Sequence, residues 1–201
     1  DEERRRISAE MHDDIGSGLT SMLFLTNSVQ SPDAAITEKM DKINRHASSL
    51  VDKLNEIIWA LNRDYDSLED LIAYIRQHIG EMLEAYGIIF CLKAEEPSPA
   101  INLPGEVRRN IYLVIKEAVH NIIKHAGATT VTVQFNFEKK LTVSIHDNGR
   151  GIDFNQLRHF GNGLKNMRQR MENIGGEIDI KNEDGTTVTL TQPLTLPELV
   201  I

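Results

Sequence analysis

One cysteine and one tryptophan stand in 201 residues, and aromatics make up only 5% of the chain. Cys91 has no second cysteine to pair with, which excludes a disulfide-stapled fold. Its place in the apolar run Ile88-Ile89-Phe90-Cys91-Leu92 reads as a small buried hydrophobe in a protein of a reducing compartment. No apolar run reaches the roughly 18 residues of a membrane span, and the opening Asp1-Glu2-Glu3-Arg4-Arg5-Arg6 is charged rather than signal-like. Positive charge is in deficit: 22 basic against 30 acidic side chains leave −8, a surface that repels phosphate backbones and excludes generic nucleic-acid binding. What remains is an ordinary globular balance, 40% hydrophobic and 26% charged, long enough for one large core or two small ones.

Two kinds of pattern divide the chain. Ile7, Met11, Ile15, Leu19, Met22, Leu25 and Val29 recur every three or four residues, predicting a helix over 3–30. Ser31-Pro32-Asp33 breaks it, and Ile36, Met40, Ile43, Ala47, Leu50, Leu54, Ile57 and Leu61 form a second stripe. The two helices make a hairpin whose stripes are wider than one partner covers, which predicts pairing with a second copy into a four-helix bundle. The polar stretch 62–67 marks a domain boundary. Beyond it the pattern predicts a helix (67–86), a strand (88–94), a proline-containing loop and a helix (105–126). A hairpin of strands over 131–137 and 141–145 follows, then a glycine-rich loop, a helix (163–174) and two closing strands (177–181 and 186–191). The fold class is a helical hairpin followed by an α/β sandwich, with helices on one face of a mixed or antiparallel sheet.

Three constellations can carry chemistry. His12 lies about a quarter turn from the centre of the first stripe, at its edge, and adjacent Asp13 can hold one imidazole nitrogen while the other reacts. Gly16 and Gly18 each weaken a helix interior by roughly 1 kcal/mol relative to alanine, which leaves room for a large reactant beside the histidine. In Glu117-Ala118-Val119-His120-Asn121-Ile122-Ile123-Lys124-His125, spacings of four and three stack Glu117, Asn121 and Lys124 on one helix face, with Val114, Ala118 and Ile122 on an apolar side. Carboxylate with amide oxygen suits Mg²⁺, and a neighbouring lysine suits phosphates. In Asp147-Asn148-Gly149-Arg150-Gly151 a carboxylate ends a strand and can accept from an amino group such as adenine's. Gly161-Asn162-Gly163-Leu164 then opens a helix whose free N–H groups favour phosphate. Taken singly, each is matched by a blander reading: a surface pair, a solvated helix face, a turn.

In this order the motifs resemble the transmitter module of a two-component sensor histidine kinase, of the subfamily that includes nitrate sensors and the bacterial lipid-fluidity thermosensor. Glu3 to Asp13 is similar to its phosphoacceptor box, Glu117 to His125 to its N box, and Asp147–Gly151 and Gly161–Leu164 to its two glycine boxes. Gly185-Thr186-Thr187-Val188 resembles its final Gly-Thr motif. The resemblance implies a dimerisation and phosphotransfer domain over 1–63 and an ATP-binding domain of the gyrase, Hsp90, histidine kinase and MutL type over 67–193, followed by a tail, 194–201. It implies ATP and Mg²⁺ as cofactors. Asn121 holds the metal with Glu117 in support, Lys124 and His125 approach the phosphates, and Asp147 takes the adenine amino group with Thr186 nearby. Gly149 and Gly151 shape the pocket, while Gly161 and Gly163 belong to a short lid. His12 is the phosphoacceptor and Asp13 its orienting partner.

The resemblance further implies a homodimer, a response regulator receiver domain as partner, and a cytoplasmic module of an inner-membrane sensor whose membrane segments precede residue 1. Relatives often carry glutamine five positions after the phosphoacceptor, where it resembles a water-placing group for dephosphorylating the regulator; here that position is Ser17, whose hydroxyl is shorter than an amide, which leaves phosphatase activity an open question of the sequence. Arg168 and Arg170 are further phosphate-contact candidates. Other readings are a non-catalytic nucleotide-binding dimeric signalling module and an ATPase that releases phosphate to water.

Overall fold

The computed structural model describes residues 15–29, 34–62, 65–94, 101–152 and 162–194; His12, Asp13, Gly161, the turn at 31–33 and the tail beyond 194 lie outside the described residues. The chain divides into two compact units between Tyr65 and Asp66.

In the first unit, α1 (Ser17–Ser28) and α2 (Ala34–Leu61) pack as a hairpin. Thr26 Oγ1 ties them together through Asn44 Oδ1. The second stripe resolves into two lines, each repeating every seven residues. Ala47 and Leu54 are buried, whereas Ile36, Ile43 and Leu50 are exposed, as are Met22, Phe24 and Leu25 of α1. An ideal helix drifts against a seven-residue repeat slowly enough for both lines to persist over three turns.

The second unit begins with α3 (Leu68–Glu84), started by a reciprocal capping box: Ser67 Oγ accepts from the Asp70 N–H at 3.0 Å and Asp70 Oδ2 accepts from the Ser67 N–H at 3.2 Å. Its face Leu68, Leu71, Ile75, Ile79 and Leu83 is fully buried. Strand β1 (Ile89–Ala94) leads to α4 (Gly105–Asn121), which runs into a π-helical turn, Ile122–Ala126. Strands β2 (Thr130–Phe137) and β3 (Lys140–Asp147), helix α5 (Gly163–Asn173), and strands β4 (Glu177–Asn182) and β5 (Thr186–Pro193) follow. The sheet order is β1-β2-β3-β5-β4; β1 and β2 are parallel and the remaining pairs antiparallel, so the sheet is mixed. Period-two alternation sends Val131, Val133, Phe135, Leu141, Val143, Ile145, Val188 and Leu190 into the core. Cys91 departs from expectation: it is only half-buried, because its register partner Thr132 puts it on the face away from that core.

Arg108 of α4 is fully buried, donating from Nη2 to Asp66 Oδ1 at 2.6 Å and from Nε to the Leu103 carbonyl at 3.3 Å. Burial pulls its pKa below the ordinary arginine value while Asp66, and more weakly Asp70, act in the opposite sense. Around it the chain pairs with itself: the Leu68 N–H donates to the Ile101 carbonyl and the Leu103 N–H to the Asp66 carbonyl, each at 2.8 Å.

Candidate active site

The site is built at the carboxyl ends of α4 and β3. Helix α4 buries Val114, Ala118 and Val119, which leaves Glu117 and Asn121 half-buried. The π-helical turn after Asn121 widens the helix and spreads Ile122, Lys124, His125 and Ala126, until Gly127 ends it in the left-handed conformation at φ +63°. Gly163, the first residue of α5, packs so closely that an added Cβ would collide with Glu117 Oε1 and lie 3.7 Å from Asn121 Nδ2. The start of α5 therefore stands directly against the carboxylate and the amide.

Asp147 follows from the strand period. Leu141, Val143, Ile145 and Asp147 all point inward from β3, and the fourth is a carboxylate with no exposed surface. Its Oδ1 accepts from the Gly149 N–H at 2.7 Å; its Oδ2 is buried with no hydrogen-bond partner. Such a group costs about 1–3 kcal/mol, and more when charged, so a site that keeps one is shaped for a ligand donor.

The loop after Asp147 is pinned from several sides. Asn148 Oδ1 accepts from the N–H groups of Thr129 and Thr130, both at 2.9 Å, and Arg150 donates from Nε to the His125 carbonyl at 2.7 Å and from its backbone N–H to the Ala126 carbonyl at 3.0 Å. At Gly149 a Cβ would come within 2.5 Å of the Ala126 carbonyl oxygen, and at Gly185 (φ +121°) it would run into the backbone oxygen of Asp147. These glycines are steric requirements of the loop's close packing.

The result is a cleft with Asn121, His125, Asp147, Gly151 and Thr186 all on its lining. Glu117 and Gly163 adjoin it. Lys124 is exposed and outside the lining, Gly149 packs behind the wall, and Arg168 lies on a separate groove between α5 and β4. Apolar walls come from Val188 of the Gly-Thr motif and from residues that the motif reading did not single out, among them Ile145 and Met167. The alternation of β3 and β5 already marks Ile145 and Val188 as inward-facing; Met167 needed the packing of α5. Among the described residues no three His, Cys, Asp or Glu side chains gather as a metal cage. An apolar cleft with one buried acceptor oxygen suits an aromatic ring bearing an amino group.

Two family models match the chain: "Histidine kinase" over residues 3–83, and "Histidine kinase-, DNA gyrase B-, and HSP90-like ATPase" over residues 106–196. The chain is the transmitter region of a sensor histidine kinase. Among its relatives, DegS of Brevibacillus brevis, a signal transduction histidine-protein kinase/phosphatase, is 29% identical over 98% of the transmitter and 53% of DegS. UhpB of Salmonella typhimurium, also a kinase/phosphatase, is 30% identical over 94% of the transmitter and 38% of UhpB. The sensor histidine kinase DesK of Bacillus subtilis is 29% identical over 96% and 51%. The transmitter thus spans about half, or less, of the length of these curated relatives. Solved structures share its fold: the histidine kinase domain of the Erythrobacter litoralis EL346 blue-light activated kinase has a TM-score of 0.58 at 21% identity, covering 90% of the transmitter and 95% of that chain. Acinetobacter baumannii AdeS has 0.59 at 16% identity, covering 93% and 98%. No helix among the described residues is long and apolar enough to cross a membrane.

Proposed function

We propose that the transmitter phosphorylates itself on His12 with ATP and passes the phosphoryl group to an aspartate of a response regulator, acting as a cytoplasmic homodimer. The observation that carries the reading is the buried, unpartnered Oδ2 of Asp147 in an apolar cleft shared with Asn121 and Thr186. In this mechanism Oδ2 accepts a hydrogen bond from the adenine amino group, while the Gly149 N–H holds Oδ1 and so fixes the carboxylate plane. His125 and Lys124 approach the phosphates from the π-helical turn. A nitrogen of His12 attacks the γ-phosphorus in line; the P–N bond forms as the bond to the ADP oxygen breaks, and Asp13 orients the imidazole and takes up its proton. Glu117 Oε1 and the side-chain amide of Asn121 stand together at the start of α5, and a carboxylate with an amide oxygen is a hard donor set that fits Mg²⁺. Glu117 and Asn121 are the residues that would hold it, and the ion when bound offsets phosphate charge. The exposed line Met22, Leu25, Ile36, Ile43 and Leu50 supports a second copy as partner of the hairpin.

The test is incubation of the chain with Mg²⁺ and γ-labelled ATP beside His12→Gln. Label that is stable to alkali, lost in acid and absent from the variant is the expected result. No label despite measurable ATP binding would overturn autokinase activity in favour of a nucleotide-sensing scaffold.

A further inference from the structure

Asn182, the last residue of β4, reads in the sequence only as the first residue of the turn Asn182-Glu183-Asp184-Gly185. In the fold its side chain reaches across thirty residues to one backbone unit. Its Oδ1 accepts from the Ile152 N–H at 2.9 Å, and its Nδ2 donates to the Ile152 carbonyl at 2.6 Å. One planar amide thereby satisfies both polar groups of a residue that belongs to no strand. The adjoining Gly151 sits at φ +79°, and a Cβ there would come 3.1 Å from Asn182 Oδ1, so the chain passes close against the amide.

Gly151 and Ile152 both line the cleft, and so does Thr186, which pairs with Asn182 across the β4–β5 hairpin. Asn182 therefore joins two stretches of the cleft wall, one through strand register and one through its side chain. The earlier part of the same loop is anchored independently: Asn148 holds the start of β2, and Arg150 holds the π-helical turn. Losing the Asn182 amide would release Gly151 and Ile152 while Asp147 and its neighbours stayed in place.

We propose that Asn182 is a positioning residue for nucleotide binding, fixing the Gly151–Ile152 wall of the cleft through its double hydrogen bond to Ile152. The proposal rests on the reading that this cleft takes ATP. It acts on the free energy of binding and leaves the phosphoryl-transfer step alone, since Asn182 touches no reacting group.

The experiment uses the whole chain as wild type, Asn182→Ala, and Lys181→Ala as a neighbouring control. ATP affinity is measured by calorimetry, self-labelling by initial rates against ATP concentration, and the Ile152 amide by hydrogen exchange. Asn182→Ala should raise Kd and KM for ATP about fivefold, the loss of one to two net hydrogen bonds, and speed exchange at Ile152. Its labelling rate at saturating ATP should stay within about twofold of wild type, and Lys181→Ala should match wild type throughout. Unchanged Kd and KM in Asn182→Ala, or a lower saturating rate and melting temperature at unchanged KM, would overturn the positioning role. Failure of the wild type itself to bind ATP would instead overturn the reading of the cleft, which separates the two.

Discussion

The two units are unfinished in opposite ways. The helical hairpin leaves apolar surface in water, with Phe24 75% exposed and Leu25 63%. The α/β unit buries most of its large apolar side chains, Tyr86 and Ile89 apart, yet leaves one carboxylate oxygen in its interior without a partner. The first deficit is non-directional and is met by any well-shaped apolar surface, so it calls for a macromolecule and for area. The second is directional and small, so it calls for a ligand with a donor at one place. One fold thus keeps apart what recruits a partner and what recognises a small molecule, each recorded as a different kind of missing interaction.

Substitutions can break or sharpen that contrast. Gly185→Ala should act most strongly, because a Cβ there meets the backbone oxygen of Asp147, which cannot swing aside as a side chain can, and φ is +121°. A loss of about 3 kcal/mol or more, roughly 10 °C in melting temperature, is expected in thermal unfolding. By contrast, the atom a Cβ at Gly163 would meet is the flexible end of Glu117, so Gly163→Ala should unfold close to wild type. Next comes Asp147→Asn, which swaps the free acceptor for an amide. Calorimetry should show ATP affinity reduced about 30- to 100-fold, the loss of roughly 2–3 kcal/mol of a charged hydrogen bond. The ligand-free variant should be at least as stable as wild type, since a buried carboxylate with one unpartnered oxygen becomes a neutral amide. If stability and affinity fell together, the orphan oxygen would be structural and the contrast between the units would collapse. The smallest effect belongs to the hairpin: Leu25→Ser should weaken self-association about tenfold in sedimentation, from about 1–2 kcal/mol of lost apolar burial, with ATP affinity untouched.

Much of this was legible in the sequence, for reasons that vary along the chain. The strands announced themselves because alternation is a property of neighbours, and the same alternation makes Asp147 inward-facing. The order of the glycine motifs already pointed to the cleft. The π-helical turn at Ile122–Ala126 was hidden, since its residues continue an apparently regular helical pattern and only the spacing of their backbone hydrogen bonds differs. Cys91 misled because the apolar run around it suggested a strand buried on both faces, whereas β1 is an edge strand with one face away from the core. Met167 and Asn182 were unreadable on their own: what they do depends on chain segments brought together only by folding. The roles of His12 and Asp13 rest on sequence resemblance alone, as both lie outside the described residues.

The buried Arg108 settles where the nucleotide-binding unit can be cut free. Its carboxylate partner, Asp66, comes before the helix cap and before the first residue of any regular element in that unit. A fragment starting at Ser67 would keep every helix and strand of the unit and still remove the carboxylate that pairs with a guanidinium in its interior. One residue more restores the pair. Should this module ever be transplanted between sensors, by recombination or by design, Asp66 has to travel with it as cargo, although it looks like linker.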